Sequence, residues 1–424
     1  MQKKTPVSVQ IKKQFKSGLF KLLTGGFLSA VISIIALPIL TRIYTPELLG
    51  IYALYSSVIG FGIVICGLLY ERAIPLIEDE DELGWFISRL FLLALLIALF
   101  YSLSFYVLIH FQYFDEFSNI NSYLLTFIVF VGIYFGWCFK MMNSVAIRFK
   151  KYQLIARVQV FQSVISHGFQ IALGIIYGGS LSLILSHYLK ESGGIGIIFF
   201  RIKNKIRFFN KGNYKTFGKY YKFPVYNLPA TAINSLNLYL PTVFIGGLHT
   251  AKMAGFYFIV QRSLGLLVTI LSNALSSYFY GEASSHFREN QPKRIKNLFN
   301  IISLIALIFS FFIIISLKLF AIDVCIWFFG ADWDIAGEIA VILSLLIGVR
   351  LVVRSIVQVF VVADKQNELV FYQFNLLLMS VLGLFIPHYM GKGLMSILPI
   401  YVSCSIFAYL AIYIRCYYIV KSFN

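Results

Sequence analysis

Long apolar runs alternate with short polar segments along the whole chain. Each run has roughly 18 to 25 residues, enough for an α-helix to cross the ~30 Å hydrocarbon core of a bilayer. The short alternating segments that are typical of a transmembrane barrel are not found. The pattern predicts twelve membrane-spanning helices near 18–44, 50–70, 85–110, 122–143, 156–178, 180–200, 223–247, 253–279, 299–320, 337–361, 370–389 and 394–417.

Composition excludes a soluble domain. Of the 424 residues, 59% are hydrophobic and 13% are charged, and the mean hydropathy is +0.81. Soluble domains have about 45–50% apolar and about 25% charged residues. We therefore expect an all-α, multi-pass membrane protein.

Lysine and arginine concentrate in every second connection between the predicted spans. The N-terminal segment 1–17 is basic and has no cleavable signal pattern, and the segment 201–222 carries eight cations and no acid. The alternate connections, such as FQYFDEFSNIN and GADWDIAGE, are acidic or neutral. This is the positive-inside pattern, which explains the net charge of +18 without a nucleic-acid partner. It predicts that both termini are cytoplasmic.

Motifs for catalysis or cofactor binding are missing from the sequence. The five cysteines are scattered singly, without metal-ligand or CxxC spacing, and there is no nucleotide-binding loop or Ser/His/Asp arrangement. We expect neither an enzyme nor a metal or cofactor. Movement of a substrate would then be driven by a gradient or by its consumption downstream.

The two halves of the chain share a weak repeat. Three residues recur at a constant offset of 205, with Gly50, Tyr52 and Gly60 corresponding to Gly255, Tyr257 and Gly265. Six spans per half make this a parallel repeat, which implies two pseudo-symmetric six-helix lobes around a central cavity. The predicted division is a tail at 1–17, lobes at 18–200 and 223–417, a linker at 201–222 and a tail at 418–424.

Arginines inside the predicted spans are the main candidates for substrate contact. A charge at the bilayer centre costs about 2.5–3.5 kcal/mol on insertion scales, so each needs a reason. Arg350 lies near the centre of the tenth span, and Arg354 lies one turn later on the same face. Their guanidinium forks suit phosphate oxygens, although an acid from another span is an alternative partner. Arg262, in the eighth span, faces the same cavity or snorkels outward.

The sixth predicted span carries His187, Lys190 and Glu191 at membrane depth. Lys190 is a further candidate contact for an anion, and His187 and Glu191 are candidates for proton coupling. A lysine–glutamate pair with another helix explains the same residues equally well. Arg42 lies at the outer boundary, near the end of the first span, and Glu71 lies at the inner end of the second span. Both are candidates for gating, although interfacial anchoring is the simpler role for Arg42.

Uncharged polar residues form stripes on two further spans. Asn227, Thr231 and Asn234 follow helical spacing in the seventh span, and Gln162 and Gln170 do so in the fifth. Such side chains can hydrogen-bond sugar hydroxyls. They can equally join one helix to another.

Five motifs in register resemble the bacterial polysaccharide-transporter family, the Wzx-type flippases of lipid-linked oligosaccharides. They are LPILTRIYTPELLGIYAL, LLYERAIPL, AIRFKKYQLIARVQV, YYKFPVYNLPA and GFYFIVQRSLGL, with a fainter match at GADWDIAGEIAVIL. The superfamily also contains multidrug/toxin extruders and lipid II flippases. The last two spans match only in character.

The resemblance implies a twelve-helix, two-lobed transporter of the bacterial plasma (inner) membrane. Its expected substrate is an undecaprenyl-diphosphate-linked O-antigen or related repeat unit, moved from the inner to the outer leaflet. The polymerase and chain-length regulator of the same pathway are candidate partners, besides the lipid bilayer itself. Two alternatives remain, an integral polymerase or ligase of that pathway and a small-molecule extruder of the same superfamily.

Overall fold

A computed structural model of the protein describes residues 7–111, 121–203 and 215–423, with the backbone alone at 7–23 and 215. Within these ranges lie twelve long helices and no strand. They are α1 (Val7–Ile43), α2 (Pro46–Cys66), α3 (Glu80–His110), α4 (Ser122–Arg148), α5 (Tyr152–Ile176), α6 (Gly179–Ile202), α7 (Leu228–Leu248), α8 (Ala251–Arg288), α9 (Pro292–Phe329), α10 (Asp334–Ile356), α11 (Gln366–Tyr389) and α12 (Leu394–Lys421).

The all-α membrane fold predicted from the apolar pattern is confirmed. In the described ranges, nine helices are long and apolar enough to cross a membrane. The other three long helices are α5, α6 and α7, which carry most of the polar candidates named above. Their lower hydropathy therefore reflects the polar stripes rather than a shorter helix.

Several helices are longer than the apolar runs that predicted them. The first helix begins at Val7 rather than near residue 18, and α8 continues to Arg288. At 38 residues, α8 and α9 are each about 57 Å long, well beyond the ~30 Å hydrocarbon core. Hydropathy marks only the part of a helix at membrane depth, whereas backbone hydrogen bonding continues through polar residues into water.

Side-chain caps define several of the helix starts. Asp79 accepts hydrogen bonds from the backbone N–H groups of Asp81 and Glu82 at the start of α3. Asn121 caps α4 in the same way, and the Thr250 hydroxyl accepts from Met253 N–H at the start of α8. Short polar residues at these positions satisfy N–H groups that have no partner within the helix.

The second helix ends four residues before the predicted end of its span. After Cys66 the chain passes through Gly67 and two leucines in the left-handed region, Leu68 at φ 50° and Leu69 at φ 60°. A 3₁₀ turn then runs over Tyr70–Leu76. The apolar run therefore continues through a bend that brings Glu71 into the interior.

The chain forms two compact units. The first comprises the chain up to Tyr44 together with Tyr55–Ala232. In it, α1 packs on α5, α5 on α6, α3 on α4 and α4 on α6. Its fully buried large side chains include Trp137, Phe86 and Tyr55.

The second unit comprises Thr45–Leu54 and the chain from Ile233 onward. In it, α10 packs against α8, α9 and α12, and α11 packs against α12. Phe279, Phe299 and Phe360 are among the large side chains at its core.

Two glycines of the predicted repeat meet within this second unit. A Cβ on Gly50 would stand 1.7 Å from the carbonyl oxygen of Ala251, and one on Gly255 would stand 1.8 Å from that of Pro46. The first turns of α2 and α8 therefore cross with their backbones in direct contact. Only glycine fits at either position.

The described end of the predicted linker packs on the first unit. Phe217 lies against Tyr70, Trp85 and Phe86, with ring centroids 5.1, 6.0 and 4.8 Å apart. The Tyr220 hydroxyl donates to the carbonyl oxygen of Leu76 at 3.2 Å. Half of the basic segment expected at the membrane surface, residues 204–214, lies outside the described residues, as do residues 1–6 of the N-terminal tail.

Candidate functional site

Polar side chains of α1, α5 and α6 form a hydrogen-bonded network inside the first unit. His167 contacts the Gln170 side-chain oxygen at 2.8 Å and the Ser33 hydroxyl at 3.1 Å. The Tyr44 hydroxyl donates to the Gln170 carbonyl oxygen at 2.7 Å, and Ser182 lies 2.8 Å from the same hydroxyl. Gln170 is buried and already engaged on both its side chain and its backbone.

The charged residues of α6 lie about two turns beyond Ser182 on the same helix. Lys190 Nζ is 3.5 Å from Glu191 Oε1, and the Gln162 amide donates to the Lys190 carbonyl oxygen at 3.0 Å. His187 lies edge-on to Tyr55, with ring centroids 6.3 Å apart. Glu191 and Gln162 are both buried. The lysine–glutamate pair thus forms between chain neighbours, not with another helix.

A second lysine–glutamate pair lies between the 3₁₀ turn and α4. Lys140 Nζ is 2.9 Å from Glu71 Oε1, and the indole N–H of Trp137 donates to Glu71 Oε2 at 3.3 Å. The Glu71 side chain is 1% exposed, whereas that of Lys140 is 31% exposed. The carboxylate is therefore fully enclosed while its cationic partner remains accessible.

The polar residues of the seventh predicted span lie near the start of α7. Residues Phe223–Asn227 form a π-helical turn just before that helix. Asn227 and Asn234 are exposed, and the Thr231 hydroxyl donates to the Asn227 carbonyl oxygen at 2.8 Å. The two asparagine side chains are thus open to a ligand, whereas the threonine hydroxyl bonds its own helix.

Arg350 lies among tyrosines in the second unit. Its guanidinium is 5.8 Å from the centre of the Tyr409 ring and interacts electrostatically with the hydroxyls of Tyr257 and Tyr401. Among the described residues, no acid forms an ion pair with it, and its Nε has no hydrogen-bond partner. The site is thus a half-buried cation held by rings and hydroxyls rather than by a carboxylate.

Two of the other three arginine candidates, Arg354 and Arg42, are more exposed than Arg350, whereas Arg262 is half-buried like it. Arg354 is exposed, with Nη1 3.5 Å from the Thr269 hydroxyl. Arg262 lies over the ring of Phe258, one turn earlier in the same helix, at 5.6 Å. Arg42 is exposed at the last turn of α1. In the part of the chain that the structure describes, none of the three is paired with an acid.

Sequence reasoning missed two features of this arrangement. Lys140 was not singled out, although a lysine within the apolar 27-residue α4 is itself a visible signal. The tyrosines around Arg350 could not be found from spacing, because Tyr257 and Tyr401 come from helices distant in sequence. No group of three or more His, Cys, Asp or Glu residues forms a potential metal site in the described ranges.

These features define a multi-pass helical membrane protein whose second unit holds a half-buried arginine, Arg350, without an acidic partner among the described residues. The fold is that of transporters and flippases already solved. The lipid II flippase MurJ, in an inward closed conformation, superposes with a TM-score of 0.74 at 14% identity, covering 93% of this chain and 87% of that chain. An inward-facing MATE multidrug transporter of the MOP superfamily gives 0.62 at 10% identity, covering 95% of each chain.

A mutant of the Vibrio cholerae MATE transporter VcmN gives a TM-score of 0.60 at 13% identity, covering 98% of each chain. The family model described as polysaccharide biosynthesis protein matches residues 39–338. The chain therefore belongs to this polysaccharide biosynthesis protein family, as the resemblance of its motifs predicted. No curated protein matches the chain significantly.

Proposed function

We propose that this protein is a flippase for lipid-linked oligosaccharides. The observation that carries the proposal is Arg350, a half-buried cation at membrane depth that no acid of the described residues neutralises. An unpaired charge there is costly, and an anionic substrate would offset that cost. Membership of a polysaccharide biosynthesis family and a fold shared with a lipid II flippase support the same function.

The proposed substrate is an undecaprenyl-diphosphate-linked O-antigen or related repeat unit, moved from the inner to the outer leaflet by alternating access. Its diphosphate would contact the arginine candidates and the lysine of α6, and its sugars would contact the two exposed asparagines. Gln162 and Gln170 are buried and hydrogen bonded within the first unit. We propose that these two glutamines hold helices together instead of binding sugars.

The residues proposed for coupling and gating lie in different surroundings, which support these roles to different degrees. Glu71 and Glu191 each lie against a lysine, so a change of protonation at either would alter a charge pair. His187 lies next to Tyr55 and close to both residues of the α6 pair in sequence. Arg42 lies at a helix end, where anchoring at the interface remains the simpler role.

A small-molecule extruder is the second candidate, because MATE transporters share the fold. An extruder of organic cations needs unneutralised acids at its binding site. Both acids buried in the described part of the chain are neutralised by lysine, which favours the anionic substrate. A polymerase or ligase is less well supported, since no catalytic constellation accompanies the cations among the residues that the structure describes.

The proposed location is the bacterial plasma membrane, with both termini in the cytoplasm. We retain 18–200 and 223–417 as the two lobes, and 201–222 as the cytoplasmic linker between them. The polymerase and chain-length regulator of the pathway remain proposed partners. As a flippase the protein would make and break no covalent bond.

The location of lipid-linked repeat units in cells lacking the gene tests the proposed function. We expect single units to accumulate on the cytoplasmic leaflet, with none at the cell surface, and a plasmid-borne copy to restore export. Unpolymerised single units that still reach the surface would show that translocation is intact. The polymerase alternative would then replace the flippase.

A further inference from the structure

Four polar residues form a stripe along the C-terminal half of α4. They are Lys140, Asn143, Ser144 and Arg148, which we call the α4 stripe. Residues three, four and eight positions apart lie on one face of a helix. The stripe is about 12 Å long, since an α-helix rises 1.5 Å per residue. It contains two cations and no acid.

Lys140, at one end of the stripe, is positioned by the bend that follows α2. Leu68 and Leu69 adopt left-handed backbone conformations, at φ 50° and 60°, which cost energy for a bulky side chain. A Cβ on Gly67 would stand 1.9 Å from the Trp137 indole nitrogen and 2.8 Å from Glu71 Oε2. The strained bend and the glycine together place Glu71 where it orients Lys140.

That arrangement leaves the lysine available to a ligand. Glu71 is enclosed, with Trp137 and Lys140 on its two oxygens, but a lysine ammonium has three donors. The Lys140 side chain remains 31% exposed. Glu71 thus fixes the position of the ammonium without covering it.

The rest of the stripe contains polar atoms that lack partners. Asn143 donates from its amide to the Phe139 carbonyl oxygen, but its buried side-chain oxygen accepts no hydrogen bond. Arg148 donates from Nη2 to the Glu78 carbonyl oxygen at 3.0 Å, while its buried Nε has no partner. Buried polar atoms without partners are rare in proteins, and two on one helix face call for a ligand.

We propose that the α4 stripe is a binding site for the phosphate-bearing headgroup of a polyprenyl-diphosphate-linked saccharide. Lys140 and Arg148 bind phosphate oxygens, and the free oxygen of Asn143 accepts a hydrogen bond from a sugar hydroxyl. Glu71 is a positioning residue for the lysine. The site lies within the first unit, whereas Arg350 lies in the second. This inference rests on the proposed flippase function and adds a second anion contact to it.

Binding of radiolabelled undecaprenyl diphosphate to the purified full-length protein, in nanodiscs of phosphatidylcholine, tests the site. Replacing Lys140 alone would leave Glu71 buried and unpaired, which is strongly destabilising. The informative variant is therefore Glu71→Gln with Lys140→Gln, which removes both charges together. We expect its Kd to rise about tenfold or more, because a charge-assisted hydrogen bond is lost. Its thermal midpoint should remain close to that of the unmodified protein.

Two control variants show whether a loss of binding comes from the missing lysine itself, from the change at Glu71, or from the lower net charge. Glu71→Gln alone keeps the lysine and removes only the charge that positions it, so its loss of binding should be smaller than that of the double variant. Lys151→Gln removes an exposed cation just beyond the stripe and should also leave binding unchanged. Equal losses in either control would overturn the assignment, as would a double variant that binds normally.

Competition between lipids tests whether the stripe is specific for the diphosphate, and binding to the unmodified protein tests the proposed function itself. Excess phosphatidylglycerol should not displace the probe, whereas unlabelled undecaprenyl diphosphate should. Displacement by both to the same extent would make the stripe a general anionic-lipid surface and overturn the proposal. If the unmodified protein does not bind the probe at all, the proposed flippase function itself fails. Normal binding with no effect of the double variant removes only the stripe.

Discussion

Two arginines of the second unit show how differently one residue type is used. Arg415 makes a bidentate pair with Glu368, with Nε and Nη2 at 2.7 and 3.0 Å from the two carboxylate oxygens. Arg350 lies among tyrosine rings and hydroxyls, no acid of the described residues pairs with it, and its Nε is unpartnered. The first geometry matches the guanidinium fork to a carboxylate, whereas the second leaves hydrogen-bonding capacity for a ligand.

Replacing Arg350 with methionine should abolish export without lowering thermal stability. Removing a half-buried cation that has no acidic partner among the described residues relieves a desolvation cost, so we expect an unchanged or higher thermal midpoint. Arg350→Lys should retain part of the export, because the charge persists without the planar fork. Surface display of repeat units, normalised to the amount of protein in the membrane, measures the effect.

Arg415→Gln is the matched control for the Arg350 variants. It removes a cation of the same unit that already has a partner, so export per molecule should be unchanged. An Arg350→Met protein that exports normally would remove Arg350 from the substrate path. One that no longer folds would show that the tyrosine cluster depends on the cation, and the residue would then be structural.

The sequence identified residues that are unusual at membrane depth, but it did not identify their partners. Arg350 and Glu71 stand out in apolar surroundings on composition alone. The pairing of Glu71 with Lys140 depends on a bend at Gly67 and Leu68 that neither hydropathy nor helical spacing encodes. Partners distant in the chain follow from tertiary packing, and that is why the roles of the candidate residues remained open.

Among the helices, the crossing of α2 and α8 is the tightest constraint in the second unit. Gly50 and Gly255 bring backbone against backbone, which side chains normally prevent. Close approach of this kind between membrane helices is built from small residues, because lipid supplies no hydrophobic driving force for helix association. Packing at the crossing therefore depends on the absence of a Cβ atom at both glycines.

Gly50→Ala should destabilise the protein by about 1–3 kcal/mol, the usual cost of overpacking a well-packed interior. The added methyl group would meet a backbone carbonyl, which cannot rotate away as a side chain can. Gly265→Ala, within α8, is the control, since a Cβ there has no atom within 4 Å. That change should stabilise the helix by about 0.5–1 kcal/mol. Thermal unfolding followed by detergent-compatible fluorescence measures both.

Equal effects of the two glycine variants would contradict the crossing. A loss of stability at Gly265 as large as that at Gly50 would indicate a general sensitivity to alanine and not a backbone contact.

The number and order of the helices were predictable because each apolar run is long. Their ends were not, since α8 and α9 extend through polar residues that hydropathy does not count.

For the whole molecule, twelve long helices in the described ranges make an arrangement with both ends on one side of the membrane the simplest. The distribution of lysine and arginine predicts that this side is the cytoplasm. A C-terminal green fluorescent protein fusion should therefore fluoresce. Alkaline phosphatase inserted at Gly178, between α5 and α6, should be active, whereas phosphatase inserted at Lys150, between α4 and α5, should be inactive.

An active phosphatase at Lys150 would reverse the predicted orientation and with it the direction of the proposed transport. The charge pattern predicts orientation from the sequence alone because it acts during insertion, independently of how the helices later pack. The division into two compact units was less accessible, since Thr45–Leu54 groups with the chain from Ile233 onward rather than with its own sequence neighbours. That grouping depends on the glycine crossing, which is a tertiary contact.

The crossing also suggests how the chain arose. Gly50 lies against Ala251 while Gly255 lies against Pro46, and these four positions pair at the same repeat offset. Reciprocal contacts of this kind are what two identical chains make across a twofold axis. A six-helix ancestor that dimerised through a glycine on its second helix would leave this trace after gene duplication and fusion. The two glycines would then be one inherited homodimer contact that occurs twice, and each copy needs its own glycine.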